Sequence, residues 1–441
     1  MTNIKLMSKT VLIIILFLSF ICNAVAADDV KLSLQDAVER ALRANYDLRS
    51  SEEHLRELES MIGEAMSGAL PQLNFTGGYD RYLKKPQIFL QGQRFTVGFN
   101  NTYAANLAFT QPLYAAGKVF KALKAAESET RAGKASLADL QEEIKLQVKK
   151  TYYQILLIDR AIEITKKTLK QLTDQLRTIR ERFDKGLESD YTLMRQEVQV
   201  SNMEPELSFN EQQKVVFENT LKVLLAIPVE SSVALTDGFR FAPKGVPSRE
   251  DLVASAMTER QDLAAAAAHL ETLKQAIGIE KGGYLPTVNL VANLDWVGQS
   301  DQFVLHAQDH YYSFDGGVEF SWPIFDGLKT HYRVKQAKSQ LKIEKNKELQ
   351  FKDNVQSDVL NAHSKYIEAV TREASQKKSL TLAQKVVESS SLRFSEGLTS
   401  QLELNDTILQ RDQAEKLYAQ AVYDCLDTEA TLLRLVGGKL W

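Results

Sequence analysis

The chain has 441 residues, 25% of them charged and 44% apolar, with 54 Lys and Arg against 57 Asp and Glu for a net charge of −3. That is the composition of a folded chain, long enough for about three domains of roughly 150 residues. It excludes a disordered tail, a collagen-like fibre and a polytopic helical membrane protein. With no basic excess to hold a phosphate backbone by counterion release, no nucleic-acid partner is expected. Two cysteines, Cys22 and Cys425, make neither a disulfide framework nor a thiolate zinc site.

Lys5 and Lys9 precede an apolar run from Val11 to Ile21, followed by Ala24, Ala26, Asp28 and Asp29. A positive start, a short apolar stretch and an Ala-x-Ala site read as a secretory signal peptide over 1–26. The run is too short for about 30 Å of hydrocarbon at 1.5 Å per residue. Ser19, Phe20 and Ile21 lack the small residue expected before a lipidated Cys22, so cleavage after Ala26 is expected. No later stretch reaches about 18 consecutive apolar residues. An exported chain of this kind is periplasmic, secreted, or an outer-membrane barrel.

The first part, 27–227, reads as a helix, a strand pair at about 72–83 and 102–113, and a long helical hairpin with its tip near 186. Leu73, Phe75 and Tyr79 alternate with Asn74, Thr76 and Asp80, and Leu107 and Phe109 with Asn106, Ala108 and Thr110. Residues 113–204 hold no proline and few glycines, the signature of an unbroken helix. Leu140, Ile144, Val148, Thr151, Ile155, Ile158, Ile162, Thr165, Leu169, Leu172, Leu176, Ile179 and Phe183 form a coiled-coil-like seam. A helix over 118–185 would be roughly 102 Å long, so its stripe must face other long helices.

Residues 228–248 hold three prolines, Gly238 and Gly245, and read as a linker of loop or short strand. The second part, 249–441, repeats the plan: a helix, strands at about 287–298 and 311–323, and a helical hairpin with its tip near 397. Over 311–322, Tyr312, Phe314, Val318, Phe320 and Trp322 alternate with Ser313, Asp315, Gly317, Glu319 and Ser321. Such alternation over 10–12 residues, with aromatics near the ends, suits a membrane barrel wall. The alternative is a soluble hairpin with its apolar face on the helices.

The two parts align. Leu70-Pro71 matches Leu285-Pro286, Pro112 matches Pro323, and Arg182-Phe183-x-x-Gly186-Leu187-x-Ser189 matches Arg393-Phe394-x-x-Gly397-Leu398-x-Ser400. Ordered landmarks at nearly one offset define two tandem structural repeats. Four strands cannot close in lipid, where open edges leave backbone groups unsatisfied at several kcal/mol each. Copies must therefore pool strands, and three copies give 12, with room for water inside.

With these features the sequence resembles the TolC-like outer-membrane efflux proteins over essentially the whole mature chain. The resemblance implies a mainly α fold with a transmembrane β-barrel. It implies a homotrimer whose coiled-coil-like helices form a trimeric α-barrel and whose chains give four strands each to a 12-stranded barrel. It also implies no enzymatic activity, no cofactor, and a place in the outer membrane of a Gram-negative bacterium, extending into the periplasm. The role implied is the exit duct of a tripartite efflux pump or type I secretion system. Its partners would be outer-membrane lipid, a periplasmic adaptor protein and, indirectly, an inner-membrane pump. The family's tip and adaptor-docking turn maps onto Arg182, Phe183, Gly186, Leu187 and Ser189, and onto Arg393, Phe394, Gly397, Leu398 and Ser400. Its acidic constriction ring maps onto Glu403 and Asp406. Where the family often locks the tip with an Asp and an Arg, this chain has Thr192 and Thr399.

No Gly-rich phosphate loop, His-Glu-x-x-His or Gly-x-Ser-x-Gly is present. His306 and His310 share an expected external loop with Asp301 and Asp309, read as hydrated rather than metal-binding. A soluble periplasmic coiled-coil scaffold or adaptor would explain the leader and rods, but not four alternating strands in pairs between helices.

Overall fold

The computed structural model describes residues 30–245, 247–306 and 308–438, so the leader expected at 1–26, with Cys22, lies outside the described residues. The first half contains β1 (Val30–Leu32), α1 (Leu34–Ala44), α2 (Tyr46–Ser67), β2 (Gln72–Arg81), β3 (Gln87–Leu90), β4 (Gln93–Thr96), β5 (Asn101–Tyr114), α3 (Lys118–Asp184) and α4 (Asp190–Leu224). There follow β6 (Val233–Leu235), α5 (Arg249–Glu259), α6 (Gln261–Lys281), a 3-10 turn at Gly282–Tyr284, β7 (Thr287–Ser300), β8 (His310–Ser321), α7 (Lys329–Ser395) and α8 (Gln401–Leu435). Helices α3 and α7 have 67 residues each, and α4 and α8 have 35 each. Two compact units emerge, each drawing on both halves of the sequence: 50–139 with 257–356, and the remainder.

The first unit carries an antiparallel sheet in the order β2-β5-β7-β8, so β2 and β8 are open edges. The central pairing, β5 with β7, joins the strands of the two sequence halves. The register puts one set of side chains on one face: Leu73 opposite Phe109, Phe75 opposite Leu107, Leu107 opposite Leu294, and Leu294 opposite Phe314. The other face is polar. Asn106 Nδ2 donates to Asp295 Oδ1 at 2.7 Å, and Asn293 Nδ2 to Asp315 Oδ2 at 3.1 Å. A one-residue slip would invert every strand, so this match of apolar to apolar across all four strands fixes the register. The apolar face is uncovered among the described residues, with Phe75 73%, Phe314 75% and Phe320 62% exposed.

The helices of this unit follow the strand order. Thr130 Oγ1 on α3 donates to Leu58 O on α2 at 3.2 Å. His269 on α6 meets Glu129 on α3 at 3.2 Å. The 3-10 turn after α6 presses on the start of α7, where a Cβ at Gly283 would lie 2.8 Å from Thr330 Oγ1. Sequence reasoning missed the β3–β4 hairpin between β2 and β5. It turns through Gln91 and Gly92 at φ 50° and 81°, a left-handed pair suited to a two-residue hairpin.

In the second unit the expected seam is largely the core. Ile144, Val148, Ile155, Leu172 and Ile179 are buried, as are Tyr366, Leu404, Val422 and Cys425 in the same unit. Ile162 is only half-buried, and Ile164 and Thr168 take its place inside. β1 pairs in parallel with β6, which lies in the expected linker. Tyr152 OH on α3 donates to Leu32 O at 3.0 Å and sits 3.0 Å from Asp237 Oδ2, tying both strands to the bundle. Burial, with Asp237 beside it, pushes the Tyr152 hydroxyl up to about 12.

Two details differ from the sequence reading. The first helix breaks at Asn45, whose Oδ1 accepts from Asp47 N and Leu48 N while its Nδ2 donates to Leu224 O. A short amide side chain there competes with the helical ladder and restarts it. Pro205, which marks the end of the breaker-free run, lies inside α4. Its fixed φ is helical, and the missing donor costs the helix one hydrogen bond.

Candidate functional site

Both hairpin tips are built by one device. After α3, Gly186 takes φ 71°, its N donates to Phe183 O at 2.8 Å, and Leu187 N donates to Arg182 O at 2.9 Å. After α7, Gly397 takes φ 75°, with Gly397 N to Phe394 O at 3.0 Å and Leu398 N to Arg393 O at 2.8 Å. These paired bonds satisfy the last carbonyls of a helix through a left-handed residue, a Schellman closure. The next helix starts from a serine cap in both. Ser189 Oγ accepts from Thr192 N and Ser400 Oγ accepts from Glu403 N, each at 3.2 Å.

The closure aims the following leucine outward, leaving Leu187 67% and Leu398 64% exposed. Phe183 and Phe394 are half-buried at the last helical turn, and Arg182 and Arg393 are exposed beside them. Arg182 Nε lies 3.8 Å from Glu188 Oε2. All ten expected tip residues thus fall into two copies of one motif: a capped reversal that presents a leucine and an arginine to solvent.

The two tips are neighbours. The first turns of α4 and α8 line a cavity of about 290 Å³, with Thr192, Gln196, Ser400 and Asn405 among its walls. Glu403 and Asp406 lie elsewhere, together on an exposed face of α8 one turn apart. Thr399 Oγ1 donates to Glu403 Oε2, and Gln410 Nε2 donates to Asp406 Oδ2 at 2.7 Å. Thr192 is likewise engaged locally, with its Oγ1 2.9 Å from Ser189 Oγ.

Sequence reasoning missed a buried polar network behind the tips. Asn405 Nδ2 donates to Gln196 Oε1 at 2.6 Å and to Gln199 Oε1 at 3.0 Å, and Gln196 Nε2 donates to Leu172 O at 2.9 Å. Further along, Thr168 Oγ1 donates to Asp412 Oδ1 at 2.8 Å and Arg411 reaches Gln171 at 3.1 Å. Burial pulls the Lys416 ammonium down, but Glu206 and Asp412 beside it outweigh that and hold it above the ordinary lysine value. The signal was present in α8, whose buried stripe of Leu404, Ile408, Arg411, Glu415, Ala419 and Val422 carries two charges at seam positions.

In the external loop, His306 Nδ1 lies 3.2 Å from Asp309 Oδ2, while Asp301 binds Lys85 and Asn100 N instead. The four residues are therefore not gathered, and among the described residues no group of three or more metal-ligating side chains forms. No described helix is long and apolar enough to cross a membrane.

An apolar-faced sheet with open edges, joined to paired helical hairpins with identical capped tips, defines the class. The family model for "Outer membrane efflux protein" matches residues 37–226 and 252–438, and the chain belongs to that family. It is an outer-membrane protein that extends into the periplasm. The chain is similar to "Outer membrane protein TolC" of Vibrio cholerae, 24% identical over 284 residues covering 63% of this chain and 61% of that protein. Against "Toxin and drug export protein A" of Aggregatibacter actinomycetemcomitans it is 20% identical over 412 residues, covering 92% of this chain and 86% of the relative. The chain thus spans about three fifths of the Vibrio protein's length and most of the other's. The fold is that of the CmeC outer-membrane channel of Campylobacter jejuni, with a TM-score of 0.79 at 16% identity over 92% of this chain and 86% of that one. The family match favours the outer-membrane reading over a soluble coiled-coil scaffold.

Proposed function

We propose that three copies of this chain form the outer-membrane exit duct of a tripartite efflux pump or type I secretion system. The observation that carries the reading is the sheet: four strands, two open edges, and one continuous apolar face left uncovered among the described residues. In lipid that face is satisfied and the edges are not, so the edges pair with other copies. Three copies supply 12 strands, enough to enclose a water-filled passage. The polar face, with Asn106, Asp295, Asn293 and Asp315, then lines the lumen.

The helices of three copies close into a tunnel. At the hairpin tips the exposed Leu187 and Leu398, with Arg182 and Arg393, dock a periplasmic adaptor. Glu403 and Asp406 ring the narrowest point and favour cations through their field. The tip is held without an Asp–Arg lock, since Thr192 and Thr399 bond within their own turns. Cargo is handed over by an inner-membrane pump, and the chain acts as a conduit, not a catalyst. By analogy with the export protein named above, toxic small molecules or secreted toxins are the cargo classes. The test is native mass after extraction of outer membranes in mild detergent. A trimer is expected, and a monomer in the soluble fraction would refute the duct.

A further inference from the structure

One groove in the sheet-bearing unit combines an apolar floor with basic side chains. It lies between the end of α6 and the first turns of α7, has a volume of about 580 Å³, and is lined by Tyr284, Leu285, Val334, Lys281, His331, Lys335 and Lys338. The volume falls in the range of roughly 300–1,000 Å³ typical of small-molecule sites. Its floor is mainly apolar and its rim is cationic.

Two observations identify what fits it. The first is charge. The chain is net −3, yet residues 329–345 carry Lys329, Arg333, Lys335, Lys338, Lys342 and Lys345 against a single acid, Glu344. That acid is taken by Lys347 at 2.8 Å. Lys281, Lys335 and Lys338 have no carboxylate partner among the described residues. The second is position. Trp322 follows directly on β8 and continues the apolar face of Tyr312, Phe314, Val318 and Phe320. Its Nε1 donates to Tyr284 O, on the groove's rim, at 3.1 Å. The groove's rim is therefore bonded to the residue that follows the apolar strand face, and Tyr284, Trp322, Phe325 and Tyr332, all near it in sequence, are exposed aromatics. Aromatics of this kind mark the headgroup level of a membrane. Lys335 is six residues into α7, about 9 Å along its axis, and a lysine stem extends its ammonium back toward the interface.

We propose that this groove binds one anionic diacyl phospholipid of the periplasmic leaflet, of the phosphatidylglycerol type, per chain. The apolar floor takes the first part of an acyl chain, and Lys281, Lys335 and Lys338, with His331 beside them, hold the phosphate. The inference rests on the sheet being part of a membrane wall.

The test is native mass spectrometry of the full-length protein extracted from outer membranes, titrated in detergent with phosphatidylglycerol or with phosphatidylethanolamine. Wild type should retain phosphatidylglycerol, up to one per chain, with a preference of about tenfold or more. Each lysine near an anionic headgroup contributes about fivefold, so the triple variant Lys281→Gln, Lys335→Gln, Lys338→Gln should lose the preference. Lys342→Gln with Lys345→Gln, outside the groove, should keep it. Equal binding of both lipids by wild type, or a triple variant that still prefers phosphatidylglycerol, would overturn the proposal. So would complete displacement of the lipid by inorganic phosphate, which would mark a free-anion site. A Lys338→Cys side chain, in a Cys425→Ser background, should react with a water-soluble maleimide in the lipid-free assembly. Protection there would make the groove a protein interface and overturn the proposal. The same spectra separate the two ideas: a monomer from the soluble fraction sinks the membrane wall, whereas a membrane-derived trimer with no lipid preference sinks only the lipid site.

Discussion

Replacing the tip glycines separates backbone geometry from every other property of the turns. Gly186 and Gly397 sit at φ 71° and 75°, and a Cβ built at either meets nothing within 4 Å. Space is therefore irrelevant, and the whole penalty is the left-handed backbone. For an L-residue with a Cβ that penalty is roughly 1–2 kcal/mol, greatest for β-branched residues and smallest for Asn. Gly186→Val or Gly397→Val should thus shift the ratio of native to non-native turn by about 5- to 30-fold. The core between the long helices, far larger than one turn, should hold. Asn at the same position should keep the Schellman closure and the outward leucine. The assay pairs susceptibility to an exported toxic compound, in a strain whose only exit duct is the variant, with native mass of the outer-membrane extract. The expected result is trimer for all variants, near-normal export for Gly→Asn, and lost export for Gly→Val. Normal export by the valine variants would refute the tip assignment. Loss of the trimer in valine but not asparagine variants would show that the turns direct assembly rather than docking.

Further expectations follow from other residues. Glu403→Gln with Asp406→Asn should reduce cation preference in single-channel recordings, and an unchanged reversal potential would leave these carboxylates as surface charge. Ser189→Ala and Ser400→Ala each remove a cap worth about 1 kcal/mol, so amide exchange should speed up in the first turns of α4 and α8; unchanged protection would mean the caps carry no weight. Asn405→Ala strands the buried Gln196 side chain and should cost about 1–3 kcal/mol in denaturant unfolding, and a neutral effect would mean the network tolerates its loss. Burial, followed by Glu373 and Asp424, pushes the Cys425 thiol up to about 12. Against roughly 8.5 when unfolded, this group's contribution to stability is complete below that value and lost as pH rises toward the folded one. Iodoacetamide at mildly alkaline pH should therefore label Cys425 only as the bundle opens, and fast labelling of the native protein would contradict the burial.

Much of this architecture was legible because the decisive signals are local. Alternation over ten to twelve residues marks β7 and β8 whatever their partners, and a breaker-free run ending in Gly186 or Gly397, then a serine, marks a rod and its reversal. What escaped detection depends on distant pairing or on one side chain. β1 and β6 are three residues each and are joined across some two hundred positions, too short for any periodicity. Asn45 interrupts a helix by bonding Asp47, Leu48 and Leu224, which no propensity scale anticipates. The β3–β4 turn uses Gln91-Gly92, where the usual signal is Asn-Gly or Asp-Gly.

The buried polar network is the instructive failure. Arg411 and Glu415 occupy seam positions of α8 where apolar residues are the rule, Asp412 stands beside them, and all three are buried. An apolar stripe repeats every seven residues, so by itself it permits α8 to slip one heptad against α3 and α4 at modest cost. Such a slip would separate Asp412 from Thr168 and Asn405 from Gln196, leaving charged and amide groups unpaired in the interior, where each costs far more than a lost apolar contact. These pairs fix the register of the hairpins, and with it the level at which Leu187 and Leu398 emerge together. Apolar periodicity specifies that the helices pack, and the few polar groups that break it specify where.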